Sequence, residues 1–325
     1  DPNPDSGKKC YQEMRSFIDN KIISNYFFYS PTKEMQKRIR MAKQPLVFTS
    51  FKTLCISILQ WHKTRKLEKS KNQGKVPFKL NDLRYRIYYS QLGNYQSKQL
   101  YVNYIFGNYD AKQKYLYFPL ISQPESATQV RENMWINQLS IIETLAKSVP
   151  HNWKVYVKEH PYNPGYRVRP PSFYKEIQSY PNVELLPIDI DSHMVIRNSQ
   201  MVVVVSGTSG WEAVLLHDKP VIHFAKECYE ITGLSKTCDN LISLSSLIHS
   251  EYKRINKISK EERKKRLTCL INAIIVDGFW IEDPLSFGLT SIQPKEKEMM
   301  VNSKTVAKAI KTYMDKSKKE SLNYV

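Results

Sequence analysis

The sequence lacks any paired-cysteine motif. Its five cysteines (Cys10, Cys55, Cys228, Cys238 and Cys269) are odd in number and contain no CxxC pair. That argues against a disulfide framework and against a cysteine-ligated zinc site, and it fits a reducing compartment. A P-loop, a GxGxxG fingerprint, an HExxH pair and acidic residues at metal-ligand spacing are missing too. Neither a metal nor a cofactor is therefore expected. No signal peptide is visible. The most apolar long run, Pro45 to Trp61, carries Lys52 and several polar residues, which falls short of the ~20 apolar residues of a membrane span. These absences predict a cytoplasmic chain, soluble or peripheral on the inner face of a membrane. The chain begins at Asp1 without a methionine, which leaves room for an upstream segment that has been removed.

Acidic residues are in deficit. There are 31 Asp+Glu against 49 Lys+Arg, a formal charge of +18. Such a balance suits an anionic partner, whether nucleic acid, acidic lipid or a phosphorylated substrate. A lysine-rich, solvated surface would give the same count. What the chain does have is core material. Hydrophobic residues make up 41% and aromatics 12%, with 21 Tyr, which argues against disorder. A length of 325 residues accommodates two domains or one large one.

A composition shift falls near Lys112. Before it the chain is rich in Lys and Tyr with few strand-like runs, and His62 to Lys75 reads as a basic helix end or linker. After it, strands and helices alternate. Strands are expected at Tyr115–Ile121, Trp153–His160, Val183–Ile188, Met201–Gly207 and Pro220–Ala225. Helices are expected at Asn137–Val149, Ser172–Tyr180 (opened by a Ser172 cap), Ser192–Ser199 and Ser209–His217. In the first of these helices Leu139, Ile142, Leu145 and Val149 share one face. This spacing predicts βαβ units and a parallel sheet. The valine run Val202–Val205 fits a central strand covered on both faces. Beyond Glu227 the pattern is helical to the lysine-coated C-terminal segment around Val306, Ile310 and Tyr313. Three regions follow: residues 1–112 on the acceptor side, 113–230 as a Rossmann-like domain, and 231–325 as helices packing on it.

In such sheets ligands bind at the carboxyl ends of strands. Three polar clusters fall there: Gln123-Pro124-Glu125, Glu159-His160-Pro161 and Ser206-Gly207-Thr208-Ser209-Gly210. The glycines allow close backbone approach, the hydroxyls can donate, and the helix that follows presents free N–H groups to an anion. Glu212, in the first turn of that helix, can accept the hydroxyls of a ribose or merely offset the helix dipole. His160 can donate to a phosphate oxygen or act as acid or base. Alternation along the strand predicts that either Lys158 or Glu159 faces solvent. Glu125 can be a general base, a nucleophile or a sugar ligand. His223 reads as a satisfied core histidine, His193 as a cap neighbour, and Asp189-Ile190-Asp191 as an N-cap rather than a metal-holding DxD.

The segments YFPLISQPES, YVKEHP and SGTSGWEAVLLHDKPVIHF, spanning Tyr115 to Phe224, resemble bacterial capsular polysaccharide biosynthesis proteins. Better-known relatives are the β-Kdo transferases of capsule assembly. In that group QP-type and HP motifs and a small-hydroxyl turn line the nucleotide-sugar site of a GT-B glycosyltransferase. The resemblance implies an α/β, GT-B-like fold with a Rossmann-type parallel sheet in the C-terminal half, a helical or reduced N-terminal domain, and C-terminal helices. It implies that His160 contacts the donor phosphate, with Glu125, the nearest acidic residue to the family's Asp, as the accompanying catalytic carboxylate. It places Gln123, Lys158, Ser206, Gly207, Thr208, Ser209, Gly210 and Glu212 around the donor. Where the Kdo transferases carry an Asp beyond their Gln motif, this chain has Ala127 and Thr128.

The expected activity is transfer of a sugar, CMP-linked and Kdo-like in the closest analogy, from a nucleotide-sugar donor to a polysaccharide or glycolipid acceptor. An anionic membrane surface would be a further partner. Two other readings stand beside it. One is a CDP-alcohol-dependent phosphotransferase of teichoic-acid type. The other is a non-catalytic basic module for nucleic acid, a class whose recognised motifs the chain lacks.

Overall fold

Four consecutive valines mark the middle of the sheet. In the computed structural model, which describes residues 51, 54–56, 58–59, 106–123, 133–160 and 169–277, Met201–Val204 forms strand β4, every residue of it buried. The other strands are β1 (Tyr115–Pro119), β2 (Lys154–Lys158), β3 (Val183–Leu186), β5 (Val221–His223) and β6 (Ser235–Thr237). All pairings are parallel, and the order is β3-β2-β1-β4-β5-β6. This is the doubly wound order, in which the chain reverses direction of travel between β1 and β4. The valine run is central, as its composition requires. The basic run 62–75, the C-terminal segment and almost all of residues 1–112 lie outside the described residues.

The chain divides into two compact units, Met14–Lys264 and Asp1–Glu13 with Lys265–Val325. The first carries the sheet. The described part of the second is the latter portion of the last helix among the described residues, α6 (Lys260–Asp277).

Helices lie on both faces of the sheet. The helix α1 (Gln138–Ser148) is opened by Asn137, whose side chain accepts from the Leu139 N–H at 3.2 Å. Its buried positions are Gln138, Ile141, Ile142, Leu145 and Ser148. Ile141, Ile142 and Leu145 are joined by residues of α2 (Pro171–Ser179) and α5 (Leu244–Asn256) and by the even-numbered residues of β1 in one apolar cluster. Each large side chain buried there stabilises the fold by about 1.5–3 kcal/mol. Ser172 does not cap α2; Pro170 occupies the N-cap position and makes no side-chain bond, and Pro171 follows at the first helical position, where its fixed φ suits the helix entry. The opposite face is covered by α3 (Ser192–Asn198) and by α4 (Thr208–Trp211), which continues as a π-helical turn over Glu212–Leu216. Asp191 is the N-cap of α3 and accepts from the His193 N–H at 2.9 Å, as its position before SHMVIRN predicts.

One strand was not expected. β6 is three residues long, polar and at the sheet edge, and its sequence, Ser-Lys-Thr, carries no apolar alternation. It follows a 3-10 turn at Cys228–Thr232.

Candidate functional site

The sheet order brings the ends of β2, β1 and β4 side by side. Gln123, the Glu159–His160 step and the Ser206–Gly210 turn therefore share one edge, at the point where strand order reverses. Neighbouring strands are about 4.8 Å apart, so His160 and the turn stand roughly 10 Å apart across β1. Glu125, with Pro124, Ala127, Thr128 and Pro161, lies outside the described residues.

At the end of β1 the backbone is clamped. The Ile121 N–H donates to the Gln138 side chain at 2.9 Å, and the Gln138 amide donates back to the Ile121 carbonyl at 3.2 Å. The Gln123 amide donates to the Ile136 carbonyl at 2.7 Å. Trp135 stacks on Phe224 with ring centroids 4.5 Å apart, tying this loop to the end of β5.

At the end of β2 the alternation rule fails in an informative way. Neither Lys158 nor Glu159 faces solvent; they are 4% and 1% exposed. A sheet with helices on both sides has no wet face, so both alternating positions are covered. Glu159 points into the apolar face. There both its oxygens lie 2.5 Å from one Arg169 guanidinium nitrogen, and it accepts from the Tyr174 hydroxyl at 2.7 Å. Arg169 also donates to the Ile121 carbonyl, so this buried ion pair fixes the ends of β1 and β2 together. The His160 N–H donates to Glu159 at 2.6 Å, and the histidine itself is half-buried.

Lys158 points to the other face, where its ammonium donates to the Ser192 hydroxyl at 2.8 Å. Burial pulls its pKa down to about 8, against the opposing pull of Asp191, Glu212, Asp189 and Glu159. Glu212 lies near it, 4% exposed. Burial pushes its pKa up to about 7, while a hydrogen bond from Thr208 and the Lys158 charge favour the ionised form and Asp191 opposes it. The buried Tyr117 phenol bonds to the same Ser192 hydroxyl, and burial raises its pKa. Tyr117 and Ser192 escaped the sequence reading. They are 75 positions apart, and only the packing of α3, which Ser192 opens, against the sheet brings them together.

The turn after β4 divides into two kinds of glycine. Gly207 has φ +104°, and a Cβ there would meet nothing within 4 Å. It is exposed, as is Thr208, and Ser209 is half-buried. This is open backbone in a region closed to other residues. Gly210 is buried inside α4, where a Cβ would collide with the Tyr229 hydroxyl. Its lack of a side chain serves packing. The Ser206 hydroxyl donates to Glu227 at 2.8 Å. Glu212 stands in the second turn of the helix, at the opening of the π turn, not in the first.

His223 is fully buried at the end of β5. Its Nδ1 lies 2.7 Å from the Ala225 carbonyl and its Nε2 3.2 Å from the Ser235 hydroxyl, so it is a satisfied core histidine. His193 does more than neighbour a cap: its Nδ1 lies 3.1 Å from His217 Nε2. Among the described residues no three His, Cys, Asp or Glu side chains gather as metal ligands would, and no helix is long and apolar enough to cross a membrane.

A solved structure described as the glycotransferase of kitacinnamycin is similar over 54% of this chain and 43% of its own length, at 11% identity and a TM-score of 0.32. The chain thus spans less than half of that protein. No curated protein sequence matches. A family described as "Capsule polysaccharide biosynthesis protein" matches residues 82–257, which is more than half of the chain and takes in all six strands and the three polar strand ends. The chain belongs to the capsule polysaccharide biosynthesis protein family.

Proposed function

We propose that the chain is a nucleotide-sugar-dependent glycosyltransferase of surface polysaccharide synthesis, with its donor site at the β1/β4 edge. The observation that carries this is the open turn at Gly207, set where ligands bind in sheets of this order. The backbone N–H groups of Gly207, Thr208 and Ser209, with the Ser209 hydroxyl, hold the donor phosphate. His160 approaches from the β2 side and, with the turn, stabilises the departing nucleotide phosphate. Lys158 adds positive charge from beneath, so the reaction proceeds without a metal. Glu125 is the accompanying carboxylate. The enzyme is of GT-B type, and its acceptor, a glycan or glycolipid, enters from the N-terminal side. The +18 charge suits an anionic acceptor or an anionic membrane surface.

A thermal-shift screen with CMP, CDP, UDP, GDP, their sugars and a CDP-alcohol tests this, because a ligand that binds only the native state raises the midpoint. At least one nucleotide sugar should raise it, and Gly207→Ala, which forces a side chain into the positive-φ turn, should abolish the shift in a folded protein. No shift with any nucleotide sugar would defeat the reading. A shift with a CDP-alcohol alone would replace it with the phosphotransferase.

A further inference from the structure

The donor-site reading gives Glu227 no part, yet its carboxylate stands beside the turn. It follows β5, half-buried, at the N-cap position of the Cys228–Thr232 turn. An acidic N-cap ordinarily accepts from the backbone it caps. Glu227 makes no such bond. Instead one oxygen, Oε1, accepts from Ser206 across the strand ends. The second oxygen has no hydrogen-bond partner among the described residues.

Its turn is tied to its neighbours by packing and hydrogen bonds. Tyr229, two residues on, is fully buried. It packs edge-on against Trp211 at 4.9 Å and against His223 at 5.3 Å, in the space that Gly210 leaves. The Tyr229 carbonyl accepts from Thr232 at 2.7 Å. Glu230 accepts from the Thr237 N–H at 3.1 Å and from its hydroxyl at 2.6 Å, which ties the loop to β6. The carboxylate is thus held in place without serving its own turn.

An ionised carboxylate only accepts hydrogen bonds. Next to an anion-binding turn it repels phosphate and favours hydroxyl donors, to which its bonds are short and charge-assisted. The Ser206 hydroxyl has one proton and directs it at Glu227, and the Thr208 hydroxyl directs its own at Glu212, so the phosphate falls to the backbone N–H groups of Gly207–Ser209 and to the Ser209 hydroxyl. We propose that Glu227 binds a hydroxyl pair of the donor, so that Ser206 and Glu227 recognise sugar while Gly207–Ser209 recognise phosphate. This rests on the donor-site reading above. The diol belongs either to the ribose or to the transferred sugar.

Titration calorimetry separates the cases, with wild type and Glu227→Gln each titrated with four probes. These are the nucleoside diphosphate that binds best in the screen, its 2′-deoxy form, its nucleotide sugar, and inorganic diphosphate. Gln keeps an acceptor for Ser206, so folding is retained. Loss of a hydrogen bond to a charged group corresponds to roughly 10–100-fold in affinity. A ribose diol is indicated if Glu227→Gln weakens the diphosphate by that factor but leaves the 2′-deoxy form unchanged. A transferred-sugar diol is indicated if only the nucleotide sugar weakens. Either result supports the proposal. It is overturned if Glu227→Gln binds all four probes as wild type does, or if all four, inorganic diphosphate included, change alike. Wild-type protein that binds none of them overturns the donor site itself, a result distinct from both.

Discussion

The two faces of the sheet are built from the same strands and differ in almost everything else. Alternate residues of β1 to β5 place Leu116, Phe118, Val155, Val157, Leu185, Val203 and Ile222 on one side, in a continuous apolar cluster with α1, α2 and α5. The residues between them place Tyr115, Tyr117, Tyr156, Lys158, Glu184 and His223 on the other. The first face admits one buried charge from β2, Glu159, and neutralises it with Arg169. The second carries apolar residues on β4 and β5, such as Val202, Val204 and Val221, but is polar along β1 and β2, in two different ways. Towards the amino ends of the strands its groups are mutually satisfied. There the Tyr115 hydroxyl donates to the Val195 carbonyl at 2.6 Å, Asn198 donates to the Tyr109 hydroxyl at 2.8 Å, and Lys154 pairs with Glu184. Towards the carboxyl ends Lys158 and Glu212 have their pKa values moved towards neutrality by burial. Perturbed groups of that kind cluster at functional sites. One face therefore holds the fold, and the carboxyl end of the other carries the groups whose protonation burial perturbs.

The largest expected effect is on the apolar face. Arg169→Ala leaves the Glu159 carboxylate buried without its counter-charge, which costs about 3–5 kcal/mol. Chemical denaturation should show this, while nucleotide affinity in the folded fraction stays within a few-fold of wild type. A loss of nucleotide affinity with unchanged stability would erase the distinction between the faces.

A smaller effect is expected on the polar face, and it depends on pH. The folded state holds the Glu212 proton more tightly than the unfolded state does, with a pKa of about 7 against 4.5. Stability contributed by the protonated form is therefore complete below about pH 4.5 and is lost as pH rises through 7, by up to roughly 3 kcal/mol. Glu212→Gln cannot titrate. Its melting midpoint should match wild type at pH 4 and exceed it at pH 7.5. Lys158 titrates above this window, since burial lowers its pKa only to about 8. A constant difference between the two proteins from pH 4 to 7.5 would mean that Glu212 is not held in a buried setting.

Much of this division was legible in the sequence and some was not. The valine run, the strand–helix alternation and the Asp191 cap each follow from local composition, and the structure bears them out. β6 was missed because an edge strand of Ser, Lys and Thr needs no apolar face. The burial of both Lys158 and Glu159 was missed because alternation was read as one dry face and one wet, whereas helices cover both. Gln138 reads as a polar helix start, and only the fold reveals it clamping Ile121. The cluster of Tyr117, Lys158, Ser192 and Glu212 draws on four elements and has no linear signature. Gly207 and Gly210 look equivalent in SGTSG, but the positive φ falls on one and the close packing on the other.

The most direct measurement is steady-state turnover of His160→Ala and His223→Ala, each beside its melting midpoint and nucleotide affinity. His160 stands at the carboxyl end of β2, while His223 has both ring nitrogens engaged in the core. His160→Ala should lose roughly 10²–10³-fold in turnover. Its loss in nucleotide affinity should be smaller, because the contact matters most in the transition state, and its midpoint should stay near wild type. His223→Ala should melt earlier, and its folded fraction should still turn over. Normal turnover in His160→Ala, together with abolished turnover in a folded His223→Ala, would contradict the placement of the chemistry at these strand ends.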